Sequence, residues 1–182
     1  IILVLAVCIS LAGNSSVSRA ASGYKIKVNK QKNCVTIYKM NANGKYKPVK
    51  AMVCSTGAAT PVGTFPLGEK MRWHTLIGPC YGQYCTRIHG GILFHSVWYY
   101  KPSPSTLSSE AYNRLGTTAS HGCVRLTVAD AKWIYDNVPS GSPVTVYNSS
   151  KPGPLGKPSG IRLPSSSRWD PTDVWSSGNP WN

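Results

Sequence analysis

Residues 120 to 125 read Ser120-His121-Gly122-Cys123-Val124-Arg125, and they hold the most reactive chemistry in the chain. A cysteine attacks as its thiolate, and nearby positive charge favours that form. His121 and Arg125 stand two positions to either side of Cys123 and could supply the charge. Gly122 lets the backbone turn tightly and lets a substrate come close. The bland alternative is a buried cysteine on a strand. Cysteine usage in the rest of the chain weighs against it.

The six cysteines are Cys8, Cys34, Cys54, Cys80, Cys85 and Cys123. Residues 1 to 12 are almost wholly apolar, and Ser18-Arg19-Ala20 looks like a small-x-small cleavage site, so residues 1–20 read as a secretory signal. Because Ile1 is not a start methionine, its basic leader is expected to be missing. Cys8 leaves with the signal, and five cysteines remain. Export permits disulfides. Cys34 and Cys54 lie on two alternating runs joined by the turn-like Asn41-Ala42-Asn43-Gly44, which suggests a cross-strand bridge. Cys80 and Cys85 could close a small loop around residues 81 to 84. Cys123 is then the odd thiol, and an unpaired thiol in an exported protein points to function.

A nucleophilic cysteine needs a base, usually histidine. The chain has His74, His89, His95 and His121. His121 is near Cys123 in sequence, but the Gly122 turn leaves their mutual geometry open. His95 follows Gly91-Ile92-Leu93-Phe94, a buried strand that would deliver it rigidly to a sheet edge. Asp130 reads as a helix cap rather than a catalytic acid. It lies three residues after Thr127 and ahead of an apolar helical face at Val128, Ala131, Ile134, Tyr135 and Val138.

The elements around these residues are mostly strands. Tyr24, Ile26 and Val28 alternate with polar residues, as do Val35 and Ile37, and then Val49, Ala51 and Val53. Ile88 to His95 reads as a hairpin broken at Gly90-Gly91, residues 110 to 115 as a short helix, and Val144 to Tyr147 as a closing strand. The pattern predicts a mainly β domain over residues 23–147, a sandwich or partly open barrel with one packed helix after Cys123. Residues 148–182, rich in Ser, Pro and Gly with Trp169, Trp175 and Trp181, are expected to lack regular structure, with the tryptophans pinning parts of them.

The net charge is +14, and only six residues are acidic. That excess points to an anionic partner. Export and the absence of any nucleic-acid motif turn the reading away from nucleic acid and toward anionic cell-wall polymers. A zinc site built from His95, His121 and Cys123 has poor ligand spacing, and no HExxH helix exists, so no metal or other cofactor is expected.

Taken in order, several segments resemble the L,D-transpeptidase family, also called YkuD domains. They are Ser55-Thr56-Gly57, Thr60-Pro61-Val62-Gly63-Thr64-Phe65, Phe94-His95-Ser96, Ala119-Ser120-His121-Gly122-Cys123-Val124-Arg125-Leu126 and Gly141-Ser142-Pro143-Val144. One departure is the stretch from His95 to Ser120, longer than the family usually leaves; the extra length falls in the loop from Lys101 to Leu115. Ile88-His89-Gly90 also resembles the family histidine, though Phe94-His95-Ser96 is nearer to the cysteine and ends an apolar strand.

The resemblance implies a monomeric enzyme that acts on peptidoglycan stem peptides and cross-links the wall through an acyl-enzyme. Cys123 would be the nucleophile and His95 the proton carrier, oriented by a backbone carbonyl near Ser96. The N–H groups of Gly122 and Cys123, aided by His121, would hold the oxyanion. Ser120 and Arg125 would contact substrate or steady the site. A sortase-like protein transpeptidase shares the order His, Cys, Arg, but its arginine belongs on a later strand. A wall-binding module without activity would need no reactive thiol.

Overall fold

The computed structural model describes residues 23–182, so the expected signal and Cys8 lie outside the described residues. Nine strands run in chain order as β1 (Tyr24–Asn29), β2 (Cys34–Met40), β3 (Tyr46–Val53), β4 (Gly63–Pro66), β5 (Lys70–Leu76), β6 (Cys80–His89), β7 (Ile92–Ser96), β8 (Val124–Leu126) and β9 (Pro143–Tyr147). Helix α1 spans Ser109–Asn113 and helix α2 spans Val128–Asn137. The strands form two sheets, ordered β3-β2-β1-β9-β4 and β5-β6-β7-β8, and neither closes into a barrel.

Alternation builds the first sheet. Ile26 and Val28 of β1 are fully buried, as are Val35 and Ile37 opposite them, while Lys25 and Lys27 point the other way. The β2–β3 turn works as the Asn-Gly signal implies. Asn41 Oδ1 accepts from the N–H groups of Asn43 and Lys45, and Gly44 sits at φ 70°.

The sheets meet next to the cysteine motif. Past the end of β3, Ser55 exchanges both backbone hydrogen bonds with Arg125 of β8, each 2.9 Å long. The β7–β8 pairing is parallel and sets His95 beside Arg125. Helix α2 then lies over β6 and β7. Thr127 caps it by accepting from the Asp130 N–H, and Val128, Ala131 and Ile134 bury its apolar face. A fully buried aliphatic side chain contributes about 1.5–3 kcal/mol, so this face anchors the segment that follows the cysteine.

The expected Cys80–Cys85 bridge is wrong. Both residues lie in the continuous strand β6, paired with Leu76 and Met71 of β5. Five steps of extended chain span about 16 Å, whereas disulfide-linked Cα atoms lie within about 7 Å of each other. The expected Cys34–Cys54 bridge is absent too. The register sets Cys34 opposite Val53, and all five described cysteines are free thiols.

Residues 148–182 form neither helix nor strand, yet they are tied down. Asn113 brackets Leu163 with two hydrogen bonds, and Leu163 is buried. Asp170 Oδ2 accepts from the N–H of Val128 at 2.9 Å and so serves the first turn of α2. Buried Asp170, Asp173 and Asn179 do the anchoring expected of tryptophans, while Trp175 and Trp181 stay about half exposed. Polar anchors prevail because the helix N-terminus offers unpaired N–H groups that an indole cannot satisfy.

Candidate active site

A cavity of about 360 Å³ opens between the 120–123 turn, the start of β7 and the β5–β6 hairpin. Cys123, His95, His121, Gly122, Ser120 and Arg125 all line it, together with His74 and Cys80. His89 does not. It lies at the exposed end of β6 and stacks on Phe65, ring centroids 4.6 Å apart.

Cys123 is held by the turn before it. Ser120 Oγ donates to the Cys123 carbonyl at 2.6 Å, and Thr60 Oγ1 donates to the Gly122 carbonyl at 2.7 Å. Thr60 Oγ1 in turn accepts from the Gly57 N–H, and the Ala59 N–H donates to the His121 carbonyl. The segment 57–60 is thus a clamp on the cysteine motif. Gly57 leaves no room for a side chain: a Cβ there would sit 2.2 Å from Ser120 O and 2.5 Å from the carbonyl carbon of His121.

His95 is 2% exposed. Its Nδ1 lies 2.5 Å from the carbonyl oxygen of Ser96. A carbonyl can only accept, so Nδ1 carries the hydrogen and Nε2 keeps its lone pair for a proton. The ring rests on Gly82 of β6, where a Cβ would come within 2.9 Å of Nδ1. A glycine inside a strand marks such a close approach, the one signal by which Gly82 could have been picked out from sequence. Gly57, and His74 opposite Gly82 on β5, carry no comparable mark.

The electrostatics favour neutral partners at rest. Burial pulls the His95 imidazole down to about 4, helped by Arg125 and His74 and opposed by its bond to Ser96. Burial pushes the Cys123 thiol up, while a hydrogen bond from the Leu93 backbone and the charges of Arg125 and Arg87 pull it down. The thiol sits 3.6 Å from Gly91 O. The cavity therefore holds a thiol and an unprotonated imidazole together. Arg125 donates through one NH group to Ala119 O at 2.8 Å, and its Nε is buried with no partner. Among the described residues no three His, Cys, Asp or Glu side chains group to hold a metal ion.

The L,D-transpeptidase catalytic domain model matches residues 23–146. The chain belongs to the L,D-transpeptidase, or YkuD, family. This L,D-transpeptidase domain is 44% identical over 92 residues to a Bacillus subtilis (strain 168) protein provisionally named the L,D-transpeptidase YciB. That alignment covers 48% of the chain and 46% of the relative, so the chain matches under half of its length. An L,D-transpeptidase from Mycobacterium tuberculosis H37Rv superposes with a TM-score of 0.52 at 26% identity, over 70% of this chain and 58% of that one. The L,D-transpeptidase LdtMt1, solved in complex with imipenem, shares the fold with a TM-score of 0.55 at 24% identity, over 69% and 59% of the two chains.

Proposed function

We propose that this protein is an exported peptidoglycan L,D-transpeptidase that works through an acyl-enzyme on Cys123. The observation that carries the reading is His95, buried at the cavity wall with Nδ1 committed to Ser96 O and Nε2 free, in the same cavity as an unpaired cysteine. In the first half-reaction Nε2 takes the thiol proton as sulfur attacks the carbonyl before the terminal D-residue of a stem peptide. The N–H groups of Gly122 and Cys123 hold the oxyanion; each such donor lowers the barrier by about 3 kcal/mol. The C–N bond breaks, His95 returns the proton to the departing amine, and the thioester remains. In the second half-reaction the side-chain amine of another stem attacks the thioester. His95 takes that proton and hands it to the leaving thiolate.

The orphaned Nε of Arg125 supports a role in holding a substrate carboxylate, since a buried donor without an acceptor costs about 1–3 kcal/mol. His121 lines the same cavity and would assist the oxyanion. The basic composition supports residence among anionic wall polymers. Purified stem tetrapeptide incubated with the protein should yield a thioester adduct and then a cross-linked dimer by mass spectrometry. Neither should form with Cys123→Ala. A wild-type protein that gains no mass from the peptide or from a carbapenem would overturn the reading.

A further inference from the structure

A second concavity lies away from the catalytic cavity. It measures about 520 Å³, and helix α1 and the C-terminal segment build its walls. Three arginines converge on it: Arg114 after α1, and Arg162 and Arg168 from the C-terminal segment. Two are fixed in place by the backbone. Arg162 donates to the carbonyl of Asn113, and Arg168 donates to the carbonyls of Ser165 and Ser167. The guanidinium of Arg114 makes no hydrogen bond among the described residues. The three ion pairs among the described residues are Lys50–Asp130, Arg87–Glu69 and Lys132–Asp136, so none neutralises this group. One acid, Glu110, also lines the concavity, and it forms no ion pair either.

Three like charges gathered beside a single unpaired carboxylate repel one another. Arg114 is linked through Ser55 to Arg125, which lines the catalytic cavity. The link is short, since Ser55 donates its hydroxyl to Arg114 O and pairs by its backbone with Arg125. A fold that gathers three guanidinium forks at one concavity, two of them held by backbone bonds and one without an internal partner, is complementary to an anion. A carboxylate offers two oxygens in one plane and satisfies one fork. A phosphate group offers oxygens in several directions, and the volume exceeds that of a lone phosphate ion. Tyr100, half exposed, adds a ring surface for a linking polyol.

We propose that the concavity bounded by Arg114, Arg162 and Arg168 is a binding site for phosphate groups, filled by the phosphodiester backbone of an anionic polyol polymer. The site does not depend on the transpeptidase reading, because its occupant touches neither Cys123 nor His95.

The test is calorimetric binding of a short poly(glycerol phosphate) chain, inorganic phosphate and polyglutamate to the protein at physiological ionic strength. The polymer should bind, inorganic phosphate should compete with it, and polyglutamate should bind more weakly. Exposed charge pairs each change affinity by up to about fivefold. R114Q/R162Q/R168Q should therefore lose about tenfold or more. K25Q/K27Q/K39Q, which removes equal charge from the first sheet, should lose less than about twofold. R114Q alone breaks no internal hydrogen bond and should still lose about threefold, so a folding defect in the triple variant cannot mimic the result. C123A should bind as wild type does. Inorganic phosphate binding as tightly as the polymer would support the site and make free phosphate its source. Equal losses in both triple variants, an unaffected R114Q, or polyglutamate binding as tightly as the polymer would each overturn the proposal.

Discussion

Gly57→Ala tests whether the 57–60 clamp sets the position of the nucleophile. The added Cβ would stand 2.2 Å from Ser120 O, 2.5 Å from the carbonyl carbon of His121 and 2.6 Å from its oxygen. Ordinary contact begins near 3.4 Å, so the backbone ahead of Cys123 must retreat by about 1 Å. None of these atoms ends a flexible side chain, so the strain goes into the Ser120–Cys123 turn itself. Overpacking of this kind costs about 1–3 kcal/mol of stability. A misplacement of about 1 Å costs a reaction about a hundredfold in rate. Acylation of Cys123, followed by intact-protein mass spectrometry, should therefore slow about a hundredfold at a temperature where the variant is still folded by circular dichroism. Gly160→Ala is the control, since a Cβ there meets only Leu115 O at 4.0 Å and lies outside the catalytic cavity. Near-wild-type acylation by Gly57→Ala would refute the clamp.

Three further outcomes follow from the same geometry. His95→Ala should lower the acylation rate by about 10² to 10⁴, while His89→Ala should change it little; the reverse pattern would reassign the base. The folded His95 titrates near 4 against 6.5 when unfolded. Its contribution of about 3 kcal/mol is therefore complete above pH 6.5 and fades as pH falls toward 4. Asp170 works in the opposite sense, because burial raises it from 3.8 to about 6, and its contribution fades as pH rises through 6. Between pH 6.5 and 4.5 the melting temperature of His95→Gln should then fall less than that of wild type, and an equal fall would remove the argument. Asp170→Ala strands the N–H of Val128 and both donors of Thr172. It should destabilise the fold by about 2–3 kcal/mol in urea unfolding, and an unchanged midpoint would show that the C-terminal segment does not hold α2.

Much of the chain was legible without coordinates. The period-two runs that became β1 and β9 read correctly because one face is mostly buried and the other is not. Thr127 and the apolar stripe behind it marked α2 for the same local reason. By contrast, β2 is buried on both faces from Cys34 to Ile37. A register shift in β3 skips Val49, leaving that expected inward residue exposed and Met52 buried. The hairpin β5–β6 was missed because Met71, Trp73, Tyr81 and Tyr84 mix with Arg, His, Gly and Gln in no clean alternation. Read as a loop, it invited a Cys80–Cys85 bridge that an extended strand forbids. The C-terminal segment looked loose because its anchors are single polar residues whose partners lie far away in sequence.

The sequence by itself determined the candidate residues and the family: one cysteine in a Ser-His-Gly-Cys turn, a histidine ending an apolar strand, and an order of segments that marks the family. Those are local facts, carried by residue identity and spacing. The tertiary structure alone decided that His95 and not His89 shares a cavity with Cys123, because the parallel β7–β8 pairing sets His95 beside Arg125 while β6 carries His89 to its exposed end. It alone decided the imidazole tautomer, through the Ser96 carbonyl, and the need for Gly57 and Gly82, through backbones and rings brought to them from far along the chain. Contact between distant segments is the one quantity that neither periodicity nor composition encodes, and here it sets the geometry of every group in the site.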